Sequence, residues 1–266
     1  MENLLEIKNL RVEFNTERGL STAVRDVSLR VRTGETIVLA GESGSGKSVT
    51  AMAVTGLLPQ EALVASGAII FKGRDLIGLP EDDLDRIRGK EIAYIFQEPS
   101  SYLDPVYTIG EQIAETLVFH QSMKKEAARA EALRLLGLVR INEPERAARS
   151  YPHQLSGGMN QRVFIAIALA CGPRLLIADE PTTSLDITIE DQIITLLCEL
   201  KKKLGFSLLF ITHNLAVGRR IADRMFIMHK GEVVEEGDVA SIFGSPRHRH
   251  TKELIEAYER IGRIRQ

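Results

Sequence analysis

The chain has 266 residues, 44% of them hydrophobic, and 34 basic residues against 36 acidic ones leave a net charge of −2. That length and apolar share suit one elaborated α/β unit with a large core, and the near-balanced charge gives no general reason to expect nucleic-acid binding. The longest apolar run, residues 163–171, is nine residues, against the roughly 20 needed to cross a bilayer as a helix. The two cysteines, Cys171 and Cys198, lie in apolar or helical stretches without C-x-x-C spacing, as expected of buried reduced thiols in a cytosolic protein. The first residues show neither a basic leader nor an apolar segment of signal-peptide length, so no export is expected.

Residues 4–14 and 23–31 alternate apolar and polar side chains, which predicts two half-buried antiparallel strands. Phe14 ends the first of them, where it is either an ordinary strand-end aromatic or a ring able to stack on a base. Thr33-Gly34 then turns the chain into the apolar, β-branched residues 35–40, a predicted buried strand. Directly after it, Gly41-Glu42-Ser43-Gly44-Ser45-Gly46-Lys47-Ser48 fits G-x-x-x-x-G-K-[ST] at every fixed position. Residues 49–58 can continue as a helix. Glycines at 41, 44 and 46 let backbone amides approach a polyphosphate, which a Cβ would obstruct. Lys47 adds a mobile positive charge, Ser48 offers a hydroxyl to Mg²⁺, and the helix start presents unpaired amides to the anion.

Residues 67–71 read as a strand, a helix should start at Pro80 on an acidic first turn, and residues 92–96 form a buried strand ending on Gln97. Residues 98–108, rich in Pro, Ser and Asp, break the pattern. Helical periodicity from 109 to 137 marks the start of an all-helical insertion. It closes with Leu155-Ser156-Gly157-Gly158-Met159-Asn160-Gln161-Arg162, running into a helix apolar on nearly every side. Ser156 can cap that helix, and the glycines leave its amides bare. The end is therefore either a plain capped start or a second anion site.

Residues 175–178 are apolar and precede the acid pair Asp179-Glu180. Charges at the end of a buried strand are costly without a task. Beside a phosphate cradle, Asp179 suits a Mg²⁺ ligand through water, and Glu180 a group that orients or deprotonates the attacking water. A turn-rich loop containing Ser184-Leu185-Asp186 leads to a long amphipathic helix over 187–204, whose Lys201-Lys202-Lys203 complements its C-terminus. A strand over 206–212 delivers His213 at its carboxyl end, where open α/β sheets place ligands, although a lone histidine is equally a structural residue. Residues 224–234 predict a hairpin turned at Lys230-Gly231. In the tail, Pro246-Arg247-His248-Arg249-His250-Thr251 places two histidines two apart, a spacing that could bind a metal, but the simpler reading is a solvated tail.

Together the cradle, Gln97, the Leu155–Arg162 stretch, Asp179-Glu180, Ser184-Leu185-Asp186 and His213 resemble the motif set of an ATP-binding cassette ATPase, in that family's order and over most of the chain. The resemblance implies an α/β P-loop NTPase (RecA-like) core with an N-terminal antiparallel β-subdomain and an inserted α-helical subdomain. An ATPase domain would cover residues 1–245, with the helical part at about 98–172, and residues 246–266 would form a short tail. It implies that Gly41, Ser43, Gly44, Ser45, Gly46, Lys47 and Ser48 bind ATP, that Phe14 stacks on adenine, and that Ser48, Gln97 and Asp179 serve Mg²⁺. Glu180 would be the catalytic carboxylate, His213 the switch, and Gln97 the sensor of Mg²⁺ and the γ-phosphate. Ser156, Gly157 and Gly158 would contact ATP held by an opposing subunit, with Asp186 at that head-to-tail dimer interface.

A narrower likeness is to the peptide and nickel importers, whose ATPases carry similar forms of the cradle, Phe-Gln-Glu-Pro, Leu-Ser-Gly-Gly-Met and Asp-Glu-Pro-Thr-Thr. It implies two integral membrane permease subunits near residues 98–108, a second cassette ATPase, an extracytoplasmic solute-binding protein acting indirectly, no nucleic acid, and a peripheral position at the cytoplasmic face of the membrane. Departures are Asn160 for a commonly basic residue, Asn214 for the Asp that usually follows the histidine, and Arg249-His250 for a Pro-Tyr pair. A cysteine cluster of the longer importer ATPases is not found by Gln266, so no iron–sulfur cluster is expected. A non-transport cassette protein of DNA repair or translation is the alternative; it would usually carry a long coiled-coil insertion or a second cassette. An exporter ATPase fits the motif variants less well.

Overall fold

The computed structural model describes residues 2–17, 19–98, 101–183 and 185–264, which separate into two compact units, Met1–Leu84 with Ser207–Gln266, and Asp85–Phe206. In the first unit the two alternating stretches form β1 (Asn3–Thr16) and β2 (Gly19–Arg32), paired antiparallel. Their inward residues, among them Leu5, Ile7, Leu10, Val24, Val27 and Val31, are buried. The alternation slips where Asn9 takes a positive φ of 47° and the register shifts, as a bulge does. β4 (Ala62–Phe71) lines the other side of β1 and carries the short edge strand β5 (Arg74–Asp75). β4 begins well before the predicted strand over 67–71: residues 62–66, Ala-Leu-Val-Ala-Ser, are exposed or half-buried, and pairing with β1, not burial, extends the strand there.

The largely apolar stretch before the glycine loop becomes β3 (Thr36–Ala40), buried at every position. It is flanked in parallel by β8 (Ser207–Thr212) and β9 (Arg224–His229). β9 forms the predicted hairpin with β10 (Glu232–Asp238). Lys230 and Gly231 both have positive φ, 50° and 87°, which is the primed turn whose twist suits a two-residue hairpin. Within this unit the order is β5-β4-β1-β2-β10-β9-β3-β8. The helices are α1 (Lys47–Thr55), the short α2 (Glu81–Asp85) that crosses to the second unit, α8 (Leu215–Ile221), α9 (Val239–Gly244) and α10 (Arg249–Ile264).

The second unit carries the parallel pair β6 (Ile92–Ile95) and β7 (Leu175–Asp179). Its helices are α3 (Ile109–Gln121), α4 (Lys125–Leu138), α5 (Pro144–Arg149), α6 (Gly157–Leu169) and α7 (Ile187–Leu204). α3 starts where Thr108 and Glu111 make a capping box, each side chain accepting from the other residue's amide. α6 buries Val163, Phe164, Ile165 and Ala166 in succession, as its all-round apolar sequence requires.

The start of the C-terminal helix corrects the solvated-tail expectation for His250 and Thr251, while Arg247, His248 and Arg249 are exposed as expected. His250 and Thr251 are buried, 6% and 0% exposed, and so is Ile255. The Glu235 carboxylate of β10 accepts the amides of Arg247 (2.8 Å) and His248 (3.0 Å), which holds the entry to α10 against the hairpin. Burial, and then the neighbouring His229, lower the pKa of the His250 imidazole. Among the described residues no helix is long and apolar enough to cross a membrane.

Candidate nucleotide site

In the first unit, β3 runs into the glycine loop and α1. A Cβ on Gly41 would stand 2.2 Å from the Met228 carbonyl oxygen, and one on Gly46, whose φ is 100°, would stand 2.6 Å from the Ala23 oxygen. Close packing on β9 and β2 thus dictates both glycines. Gly44 has open space around it and a φ of 77°, so only its backbone turn demands glycine. Gly46 is also the N-cap of α1 and brings no side-chain cap. The first amides of the helix therefore have no capping oxygen from that residue, the arrangement that favours an anion.

Lys47 is 4% exposed, and its ammonium donates to the Gly41 oxygen (3.0 Å), the Glu42 oxygen (2.7 Å) and Ser45 Oγ (3.4 Å), lashing it across the loop. Ser45 is buried, Ser43 is exposed and Ser48 is half-buried in the first turn of α1. Phe14 is half-buried near the end of β1, opposite Ser21 and Ala62. His213 is exposed one residue beyond β8. The residue after it, Asn214, caps α8 by accepting the Ala216 amide at 3.0 Å. Asn and Asp cap about equally well, so the replacement of Asp leaves this local structure intact.

In the second unit, β7 brings Asp179 to a position only 6% exposed. The Tyr94 hydroxyl, from the adjoining β6, donates to Asp179 Oδ2 at 2.8 Å. Burial first, then the Asp179 charge, push the Tyr94 pKa far up, so the phenol stays a proton donor. Tyr94 was not among the residues expected from sequence; its one signal is a tyrosine inside an otherwise aliphatic strand. Glu180 takes a φ of 44°, which turns the chain sharply off the strand; such a conformation costs a non-glycine residue about 1–3 kcal/mol. Its carboxylate accepts the Thr183 hydroxyl at 2.9 Å. Gln97 is exposed just beyond β6.

Ser156 caps α6, its Oγ accepting the Met159 amide at 3.3 Å. A Cβ on Gly158 would meet Ile189 at 2.8 Å, whereas one on Gly157 would find only Leu185, at an ordinary 3.7 Å. Asp186 caps α7 by accepting the Ile189 amide at 3.0 Å. The α6 start and the segment around Leu185 and Ile189 therefore lie side by side within this unit. Ser184, the first residue of the Ser-Leu-Asp motif, lies outside the described residues. The sequence-predicted residues thus fall into two groups: Phe14, the glycine loop, Lys47, Ser48 and His213 in the first unit, and Gln97, Ser156 to Gly158, Asp179, Glu180 and Asp186 in the second.

A buried parallel strand, a glycine loop closed by a buried lysine and a helix start without a side-chain cap define a P-loop nucleotide-binding protein of mixed α/β architecture. The chain belongs to the ABC transporter family, whose model matches residues 24–183. It is 48% identical to the oligopeptide transport ATP-binding protein OppD of Bacillus subtilis, over 95% of this chain and 71% of that protein. It is 46% identical to the dipeptide transport ATP-binding protein DppD of the same organism, over 98% and 78%. A dimeric post-hydrolysis structure of the ATP-binding cassette MJ0796 bound to ADP and Pi matches with a TM-score of 0.79 at 31% identity, covering 88% of this chain and 98% of that one. The chain is accordingly an ATP-binding cassette ATPase, and the non-transport alternative is not favoured.

Proposed function

We propose that the chain powers uptake of peptides through a membrane permease, hydrolysing ATP in a head-to-tail dimer with a second cassette ATPase. The observation that carries this reading is the 48% identity to an oligopeptide transport ATPase over 95% of the chain. Uptake of nickel or a metal chelate is the second branch that the motif variants allow. The protein would sit peripherally at the cytoplasmic face of the membrane, fed indirectly by a solute-binding protein. The domain limits proposed are 1–245 for the ATPase, with the helical part at about 98–172, and 246–266 for the tail.

The glycine loop amides and Lys47 bind the phosphates, and Phe14 stacks on the base. Hard oxygen donors, the Ser48 hydroxyl, the Asp179 carboxylate and the Gln97 amide, fit Mg²⁺, which supplies neutralisation of phosphate charge when bound. Tyr94 orients Asp179 through its hydrogen bond. Glu180 accepts a proton from the attacking water or orients it, and His213 holds the γ-phosphate region in register. Gly157 supports a partner's approach, since among the described residues only Leu185 comes near its missing side chain, at an ordinary 3.7 Å. Asp186 would lie at the same dimer interface. For the permease, the second unit offers Tyr102, Val106 and Tyr107, large side chains 54%, 72% and 53% exposed within residues 98–108.

The test is affinity purification of the tagged chain from its native cells in mild detergent, with co-purifying chains identified by mass spectrometry. Two integral membrane subunits and a second cassette ATPase are expected. Recovery with only cytosolic or nucleic-acid-associated proteins would overturn the transport reading.

A further inference from the structure

In the first unit, β3 and β9 run parallel with Ala40 beside Ile227. Continuing both strands by two residues sets Glu42 of the glycine loop beside His229. The Glu235 carboxylate, by holding the amides of residues 247 and 248, delivers the first turn of α10 to the same place. There His250 lies against His229, with ring centroids 3.7 Å apart. A ligand atom from each of Glu42, His229 and His250 lies within 4.8 Å of the others. Glu42 is exposed and His229 half-buried, while His250 is 6% exposed. The Nε2 of His250 is buried and makes no hydrogen bond. An imidazole nitrogen withdrawn from water and left without a protein partner is costly, so such atoms call for a ligand or another explanation.

We propose that Glu42, His229 and His250 form a binding site for a divalent transition cation of the Zn²⁺ class, tying the glycine loop to the end of β9 and the first turn of α10. Two imidazole nitrogens and one carboxylate are the donor set that borderline cations prefer over Mg²⁺, and three protein ligands leave one position open in a tetrahedral centre. Ligands at the usual Zn–N distance sit about 3.4 Å apart in a tetrahedron. Closing from at most 4.8 Å to that spacing falls to the exposed Glu42 and the half-buried His229. His248 is not a member: its Nδ1 accepts the His250 amide at 3.2 Å and so serves the helix start. The site shares no residue with the oxygen donors assigned to Mg²⁺, and it does not depend on which solute is transported.

The test uses the purified 266-residue chain, stripped of metal and free of nucleotide and Mg²⁺, titrated with Zn²⁺ against a chromogenic chelator. One tight equivalent is expected, with affinity falling at least tenfold in His229→Gln and in His250→Gln and unchanged in His153→Gln, which lies outside the cluster. Co²⁺ in place of Zn²⁺ should give the intense visible absorption of a tetrahedral site, absent from both variants. Because His250 is buried, each variant's fold is checked by far-UV circular dichroism; if His250→Gln does not fold, the half-buried His229→Gln decides alone. No single tight equivalent, or unchanged affinity in folded His229→Gln, would overturn the site and leave the two rings as a packing pair.

Discussion

Replacing Tyr94 by Phe removes one oxygen atom and tests whether the phenol holds Asp179 in place. Donor and acceptor are 9% and 6% exposed and 2.8 Å apart, so water cannot readily take over from the lost hydroxyl. A buried hydrogen bond to a charged group is worth about 1.5–3 kcal/mol. For a chain of this size that corresponds to a fall in melting temperature of about 3–5 °C. The chain has no tryptophan, so unfolding in urea is best followed by far-UV circular dichroism. The pH sign follows from the raised Tyr94 pKa. Its stabilising contribution is fully present below the ordinary tyrosine value of 10.0 and is lost as the pH rises from there toward the folded-state value. The wild type should therefore lose its advantage over Tyr94→Phe in strong alkali. If Asp179 serves Mg²⁺, loosening it should also raise the Mg²⁺ concentration for half-maximal ATP turnover about 10–100-fold, as loss of an orienting partner usually does. A variant with wild-type stability and wild-type Mg²⁺ dependence would refute the assignment of Tyr94 as the residue that positions Asp179.

Glu180→Gln keeps the shape and the strained turn but cannot take a proton, so ATP turnover should drop about 10²–10⁴-fold while ATP binding persists and a dimer accumulates; near-normal hydrolysis removes Glu180 from its role. Ser156→Ala loses one helix cap at 3.3 Å and should cost no more than about 1 kcal/mol in urea unfolding. A turnover loss far beyond that cost, at saturating ATP, is expected if Ser156 also contacts a partner's nucleotide, whereas activity that merely tracks stability would reduce it to a cap.

Local spacing made much of this protein legible. The glycine loop, the acid pair ending β7 and the capped start of α6 demand particular residue types at fixed offsets, so strand, loop and helix follow directly from the chain. The hairpin was equally open, because Lys230-Gly231 can supply two positive φ angles in a row. What escaped the sequence depends on residues remote along the chain. Tyr94 and Asp179 are 85 positions apart, and only the pairing of β6 with β7 brings them together. The tail's Arg-His-Arg-His pattern reads as solvated, yet Glu235 draws its backbone in and buries His250 against His229. Polar composition set the wrong expectation there because burial was decided by a hairpin formed earlier in the chain.

The two glycines after Ser156 show how structure sharpens a motif. In sequence they are equivalent, and both read as residues that bare a helix end. In the fold, Gly158 is accounted for by its neighbour, since a side chain there would strike Ile189. Among the described residues Gly157 meets only Leu185, at an ordinary contact distance, and its backbone is helical, so neither their packing nor its conformation requires glycine there. Glycine in a helix interior costs about 1 kcal/mol relative to alanine, and the first residue of a helix shares part of that cost. A residue that carries that cost with no internal reason is best explained by something outside the chain that must come close to its backbone. Of the two glycines in the Leu-Ser-Gly-Gly stretch, Gly157 is therefore the one at which the proposed contact with a partner's nucleotide is best tested, by Gly157→Ala.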